Sequence, residues 1–76
     1  MEVIINYKKL QDAFPLEERI ERMELISEVL KRMYSLEITE GTYYNGYCAN
    51  IYTVWDVSKF TLFQLKYSGS ILKILD

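Results

Sequence analysis

Residues 36–55, LEITEGTYYNGYCANIYTVW, decide the fold that this sequence predicts. At their centre, Asn45 and Gly46 form the dipeptide most typical of a two-residue type I′ turn in a β-hairpin. The flanking residues alternate in character and are rich in β-branched and aromatic side chains, which favours strands near 36–44 and 47–55. This stretch therefore indicates an antiparallel sheet.

The same period of two continues from the hairpin to the end of the chain. Residues 56–59 and residues 68–69 have the composition of turns, so two more strands are expected near 60–67 and 70–75. Four strands joined by short turns predict an antiparallel meander, in which each strand pairs with its neighbour in the chain.

A helical pattern precedes this sheet. Apolar residues recur at steps of three and four from Leu16 to Met33, which predicts an amphipathic helix over about residues 16–35. Pro15 suits its first turn. The opening residues predict a short strand, and Asn6 can cap a brief helical segment after it. The predicted fold class is α+β: one main amphipathic helix packed on a four-stranded antiparallel meander, with a short N-terminal strand or helical segment.

Length and composition limit the class of protein. A chain of 76 residues predicts a single α+β domain over residues 1–76 with a small core. Nine basic and eleven acidic residues leave a net charge of −2, so a nucleic acid backbone is not an expected partner. The apolar stretches are too short for a membrane span or a signal peptide, and a single cysteine suits a reducing compartment. We expect a cytoplasmic protein.

The groups needed for catalysis are scarce in this chain. Histidine is absent, which removes the commonest general base and most zinc sites. No basic residue lies near Cys48 in sequence to activate it, so we expect a small packing residue there. No spacing singles out a pair of carboxylates or a glycine-rich phosphate loop. The sequence predicts a non-enzymatic protein without cofactor or metal.

Pairing across the Asn45-Gly46 turn assigns the side chains to two sheet faces. One face, with Tyr44 and Tyr47, is expected to lie under the helix. The opposite face is also rich in apolar residues although no predicted element covers it, and exposed apolar patches are typical of interaction sites. Tyrosine adds contact area at low entropic cost. The predicted protein-binding residues on this second face are Tyr43, Tyr52, Val54, Phe60 and Leu62.

We therefore expect a small protein that binds other proteins through a sheet face. It would act as a homodimer or as a stoichiometric inhibitor or adaptor, for example a phage or mobile-element antagonist of a host enzyme. Two alternatives remain open. The sheet could bind single-stranded nucleic acid by stacking its bases, although the acidic charge is unfavourable. A row of helix carboxylates could instead imitate phosphates; this acidic contact face consists of Glu17, Glu21, Glu24 and Glu28.

Overall fold

The structure, a computed structural model, describes residues 1–14 and 25–75. In chain order, its elements are β1 (Glu2–Ile5), α1 (Tyr7–Ala13), α2 (Ile26–Tyr34), β2 (Leu36–Tyr44), β3 (Tyr47–Val54), α3 (Val57–Tyr67) and β4 (Ile71–Leu75). A short 3-10 turn at Ser68–Ser70 separates the last helix from the last strand.

The four strands form one antiparallel sheet in the order β2-β3-β1-β4. β1 lies inside the sheet and runs antiparallel to both β3 and β4. β1 and β2 are therefore parallel to each other across β3, and β3 and β4 are parallel across β1. A helical connection joins each of these parallel pairs, which is the split β-α-β arrangement of the ferredoxin-like topology.

One cluster of buried side chains joins all three helices to the same face of the sheet. Tyr34 of α2 packs edge-on against Phe63 of α3, with ring centroids 5.5 Å apart, and Phe63 packs against Tyr67 at 5.2 Å. Aromatic pairs at these separations add stability beyond the area they bury. The cluster consists of Val3, Ile5, Leu10, Phe14, Ile26, Val29, Leu30, Tyr34, Leu36, Tyr52, Val54, Phe60, Phe63 and Tyr67.

Side-chain caps determine where two of the helices begin. The Asn6 side chain accepts a hydrogen bond from the backbone N–H of Lys9 at 3.2 Å, at the start of α1. Asp56 accepts hydrogen bonds from the backbone N–H groups of Ser58 at 3.0 Å and Lys59 at 3.4 Å, at the start of α3. These bonds satisfy N–H groups that have no partner within the helix.

The α+β class and the four-stranded antiparallel sheet are confirmed. The central hairpin is also confirmed, because Asn45 and Gly46 have the positive φ angles, 49° and 82°, of a type I′ turn. The predicted N-terminal strand and helical segment are both present, as β1 and α1.

The meander order is wrong, because the segment predicted as a strand near 60–67 is helix α3 and β1 supplies the fourth strand. α3 is apolar on two sides: Phe60 and Phe63 are buried, whereas Leu62 and Leu65 are exposed. A segment with apolar residues on both sides satisfies a strand pattern as well as a helix pattern. The Asp56 cap decides between the two.

The helix predicted over residues 16–35 is not continuous. α2 begins at Ile26, and Leu25 before it has an extended backbone with ψ 146°. The earlier part of the predicted helix, at residues 16–24, lies outside the described residues.

Candidate functional site

Three of the five predicted protein-binding residues lie in the core. Tyr52, Val54 and Phe60 are 0%, 7% and 1% exposed, and all three belong to the cluster beneath the helices. The prediction that they occupy an uncovered sheet face is wrong. Since α3 is a helix, it packs with Phe60 against the same face as Tyr52, and the two faces of the predicted sheet exchange roles.

A β-bulge at Thr39 limits this exchange in β2 to the residues on the hairpin side of the bulge. Leu36 lies opposite Val54 and Ile38 opposite Tyr52, although Glu40 remains opposite Ile51 as the hairpin predicts. The extra residue in β2 shifts the register and turns Leu36 to the core face. The Thr39 hydroxyl donates a hydrogen bond to the Ile51 carbonyl at 3.0 Å.

The other two predicted residues are exposed but lie on different elements. Tyr43 is 77% exposed on the hairpin, opposite Cys48, and Leu62 is 54% exposed on α3. Their contact with a protein partner stays a prediction. Cys48 is exposed too, so its expected role as a packing residue is wrong. A hydrogen bond with Cys48 raises the pKa of Tyr43.

The acidic contact face is described at one residue only. Glu28 is exposed in the first turn of α2, where its charge suits the helix dipole. Glu17, Glu21 and Glu24 lie outside the described residues. Near the other end of α2, Lys31 forms an ion pair with Glu37 at 3.0 Å, and this contact lowers the pKa of Glu37.

The sheet face opposite the core cluster is covered by none of the described helices, and we call it the open face. Its members follow from strand alternation and from the observed register. None of them belongs to the core cluster. They are Glu2 and Ile4 of β1, Glu37, Glu40, Thr42 and Tyr44 of β2, Tyr47, Ala49, Ile51 and Thr53 of β3, and Lys73 and Leu75 of β4.

The centre of the open face is apolar. Ile4 lies directly opposite Ile51, and Ala49 follows one step further along β3. Ile4 and Ala49 are only 7% and 5% exposed although no described helix lies over them. Tyr44 and Tyr47 face each other at the hairpin end, where Tyr47 is more than half exposed. Cross-strand pairs of this kind form a continuous apolar surface.

One row of the open face carries opposite charges at its two ends. Glu40 of β2 lies beside Ile51, Ile51 beside Ile4, and Ile4 beside Lys73 of β4. Both charged residues are exposed. Neighbouring strands are about 4.8 Å apart, so Glu40 and Lys73 are separated by about 14 Å and do not pair within the chain.

Residues 1–14 and 25–75 contain no group of three or more His, Cys, Asp or Glu side chains that could hold a metal. A surface pocket of about 410 Å³ is lined by Asn6, Lys8, Lys9, Asp12, Tyr47 and Cys48, but the chain has no histidine to act there as a base. No helix within these ranges is long and apolar enough to cross a membrane.

Comparison with known proteins returns no relative: no family model, no curated protein and no solved structure matches the chain. The ferredoxin-like topology carries many unrelated functions and does not by itself indicate one. The function must therefore be inferred from the open face and its residues.

Proposed function

We propose that this protein acts by binding proteins through the open face of its sheet and has no catalytic activity of its own. The observation that carries this proposal is the apolar centre of Ile4, Ala49 and Ile51 on a face that none of the described helices covers. An antiparallel sheet with one solvated face ordinarily alternates apolar and polar residues, with the polar ones outward. Ile4 and Ala49 are largely buried, but Ile51 is half-buried and Tyr47 is more than half exposed, and accessible apolar side chains of this kind favour a face that a partner covers.

The arrangement around this centre has the anatomy of a protein interface. Exposed Glu40 and Lys73 and half-buried Thr42 lie around the apolar centre, as a polar rim surrounds an interface core. Tyr44 and Tyr47 extend the surface toward the hairpin tip with large rings and polar tips. An exposed cysteine such as Cys48 also suits a reducing compartment, so we place the protein in the cytoplasm.

Single-stranded nucleic acid is the weaker alternative for this face. Four-stranded sheets that bind RNA stack bases on aromatic side chains of the sheet. Here the two inner strands carry Ile4 and Ile51 at the middle of the face. Exposed Glu2 and Glu40 would repel phosphates, with Lys73 the single base among the open-face residues. A protein surface matches this composition better.

The test compares two charged substitutions at apolar residues. Ile51→Glu puts a carboxylate at the centre of the open face, and Leu62→Glu puts the same group on the exposed side of α3. Each tagged variant, and the unaltered chain, is purified from the native cell and the bound proteins are quantified by mass spectrometry, with an untagged copy of the same chain counted as a partner. We expect a partner at fixed stoichiometry with the unaltered chain and with Leu62→Glu, and its loss with Ile51→Glu.

Circular dichroism checks that each variant is folded. Tyr47→Ser provides a second open-face variant at a residue that is already 56% exposed. The proposal is rejected if folded Ile51→Glu and Tyr47→Ser keep every partner. It is also rejected if the purified chain binds single-stranded oligonucleotides and both variants abolish that binding.

A further inference from the structure

We infer that the open face binds a second copy of this chain, in a face-to-face dimer whose twofold axis runs along the strands between β1 and β3. This inference rests on the proposed function, because it names the partner of the same face. The row of Glu40, Ile51, Ile4 and Lys73 across the four strands carries it.

Rotation about this axis reverses the order of the strands and keeps each row of residues at the same position along the strand direction. Ile51 then lies over Ile4 of the second copy, and Glu40 lies over Lys73 of the second copy. The same contacts repeat on the other side of the axis, as an isologous interface requires. The dimer therefore has an apolar centre with one ion pair at each edge.

The neighbouring row fits the same operation. This row consists of Glu37, Thr53, Glu2 and Leu75 across the four strands, so the rotation places Glu2 over Thr53 and Glu37 over Leu75 of the second copy, and no two like charges face each other. A twofold axis across the strands would instead stack Glu40 on Glu40 and Lys73 on Lys73, and like charges that face each other are destabilising. Sheets that pack face to face keep their strands within about 30° of each other, which preserves the rows near the axis.

The size of the face predicts a weak dimer. Four strands about 4.8 Å apart, with about five residues each at about 3.3 Å, cover roughly 19 by 17 Å. The hairpin end with Tyr44 and Tyr47 extends this area. Such a face lies below the roughly 800 Å² per partner of a standard stable interface, so we expect a dissociation constant of about 1–100 μM.

The decisive experiment uses two charge reversals, Glu40→Lys and Lys73→Glu. Either change alone places like charges over each other in a homodimer, and we expect self-association at least about 10-fold weaker. In an equimolar mixture, each edge of one variant meets the opposite charge on the other. We expect the mixture to form heterodimers with an affinity close to that of the unaltered chain.

Analytical ultracentrifugation over about 1 μM to 1 mM measures self-association, and native mass spectrometry identifies heterodimers in the mixture. Glu28→Lys and Lys8→Glu are the matched controls: both residues are exposed on helices on the core side of the sheet, and the changes in net charge are the same. The control variants should associate as the unaltered chain does and should show no preference for each other when mixed.

Three results would overturn the inference: an unaltered chain that stays monomeric throughout this range, single reversals that associate normally, or a mixture that forms no heterodimer. None of these decides the proposed function. A monomeric chain whose partner is lost on Ile51→Glu would leave protein binding through the open face intact and show that the partner is a different protein.

Discussion

Replacement of Tyr52 by phenylalanine should leave the domain as stable at neutral pH as before, or more stable by up to about 1 kcal/mol. The Tyr52 side chain is fully buried, and within the described part of the chain its hydroxyl has no hydrogen-bond partner. A buried hydroxyl without a partner costs about 1–3 kcal/mol. Phenylalanine fills nearly the same volume and removes that cost.

The same substitution should change the response to alkaline pH. Burial raises the pKa of Tyr52 to about 12; the Asn50 side chain, which lies near the hydroxyl but outside hydrogen-bonding geometry, lowers this pKa in part, and Tyr7 raises it. In the unfolded chain a tyrosine has a pKa of about 10. Between these two pH values the unfolded state has lost the tyrosine proton and the folded state keeps it. The contribution of Tyr52 to the free energy of unfolding is therefore fully present below about pH 10. It falls by up to about 3 kcal/mol as pH rises toward 12.

Urea unfolding at pH 7 and at steps up to about pH 11.5 measures both effects. Tyr44→Phe is the matched control, since Tyr44 is only half-buried on the open face. Tyr52→Ala should remove about 3–5 kcal/mol and unfold most of so small a domain. A loss of more than about 1 kcal/mol for Tyr52→Phe at pH 7 would contradict this prediction, because it would reveal a partner for the hydroxyl. An alkaline loss of stability equal to that of the unaltered chain would contradict it as well.

Substitutions at Asp56, Gly46 and Cys48 test three local features. Asp56→Ala removes the cap of α3 and should lower Tm by about 4–8 °C. Asp56→Asn should keep the cap but lose less stability in acid than the unaltered chain. The reason is that hydrogen bonds lower the pKa of Asp56, so the stabilisation by its carboxylate is present above the usual carboxyl pKa and is lost as pH falls below it. Gly46→Ala places a side chain at φ 82° and should cost about 1 kcal/mol in urea unfolding, whereas Gly69→Ala should be nearly neutral because an added Cβ meets nothing within 4 Å. Cys48 should react with a thiol reagent as fast in the folded protein as in urea, and Cys48→Ser should leave Tm unchanged; slow labelling of the folded chain would contradict its exposed position.

The hairpin could be predicted because its signal is local. Asn45 and Gly46 accept the positive φ angles of a type I′ turn, and the turn fixes the register of the nearest pairs. The register is correct from Tyr44/Tyr47 down to Glu40/Ile51 and fails at the bulge. A bulge has no reliable signature in a single sequence, yet one extra residue moves each side chain beyond it to the other face.

α3 could not be separated from a strand by its pattern of apolar residues. Leu62 and Leu65 face outward, opposite Phe60 and Phe63, so the segment lacks the polar face by which an amphipathic helix is recognised. The better signal was Asp56, whose carboxylate can accept hydrogen bonds from the next backbone N–H groups in a helix. Assignment of residues 56–59 to a turn between strands led to the wrong sheet face for Tyr52 and Val54.

The position of β1 is a tertiary property, but its composition contains a clue to the open face. A strand at the sheet edge with one solvent-exposed face would alternate apolar and polar residues. Residues 2–5 instead place Val3 and Ile5 on the core face and apolar Ile4 on the other face. Strands with apolar residues on both sides are typical of sheets that are covered on both faces. The described helices cover the Val3 and Ile5 side, and Ile4 with Ile51 on the far side supports the proposal that a partner covers the second face. A second copy of the chain would be that partner, with matching charges at both edges and without requiring another element from the same chain.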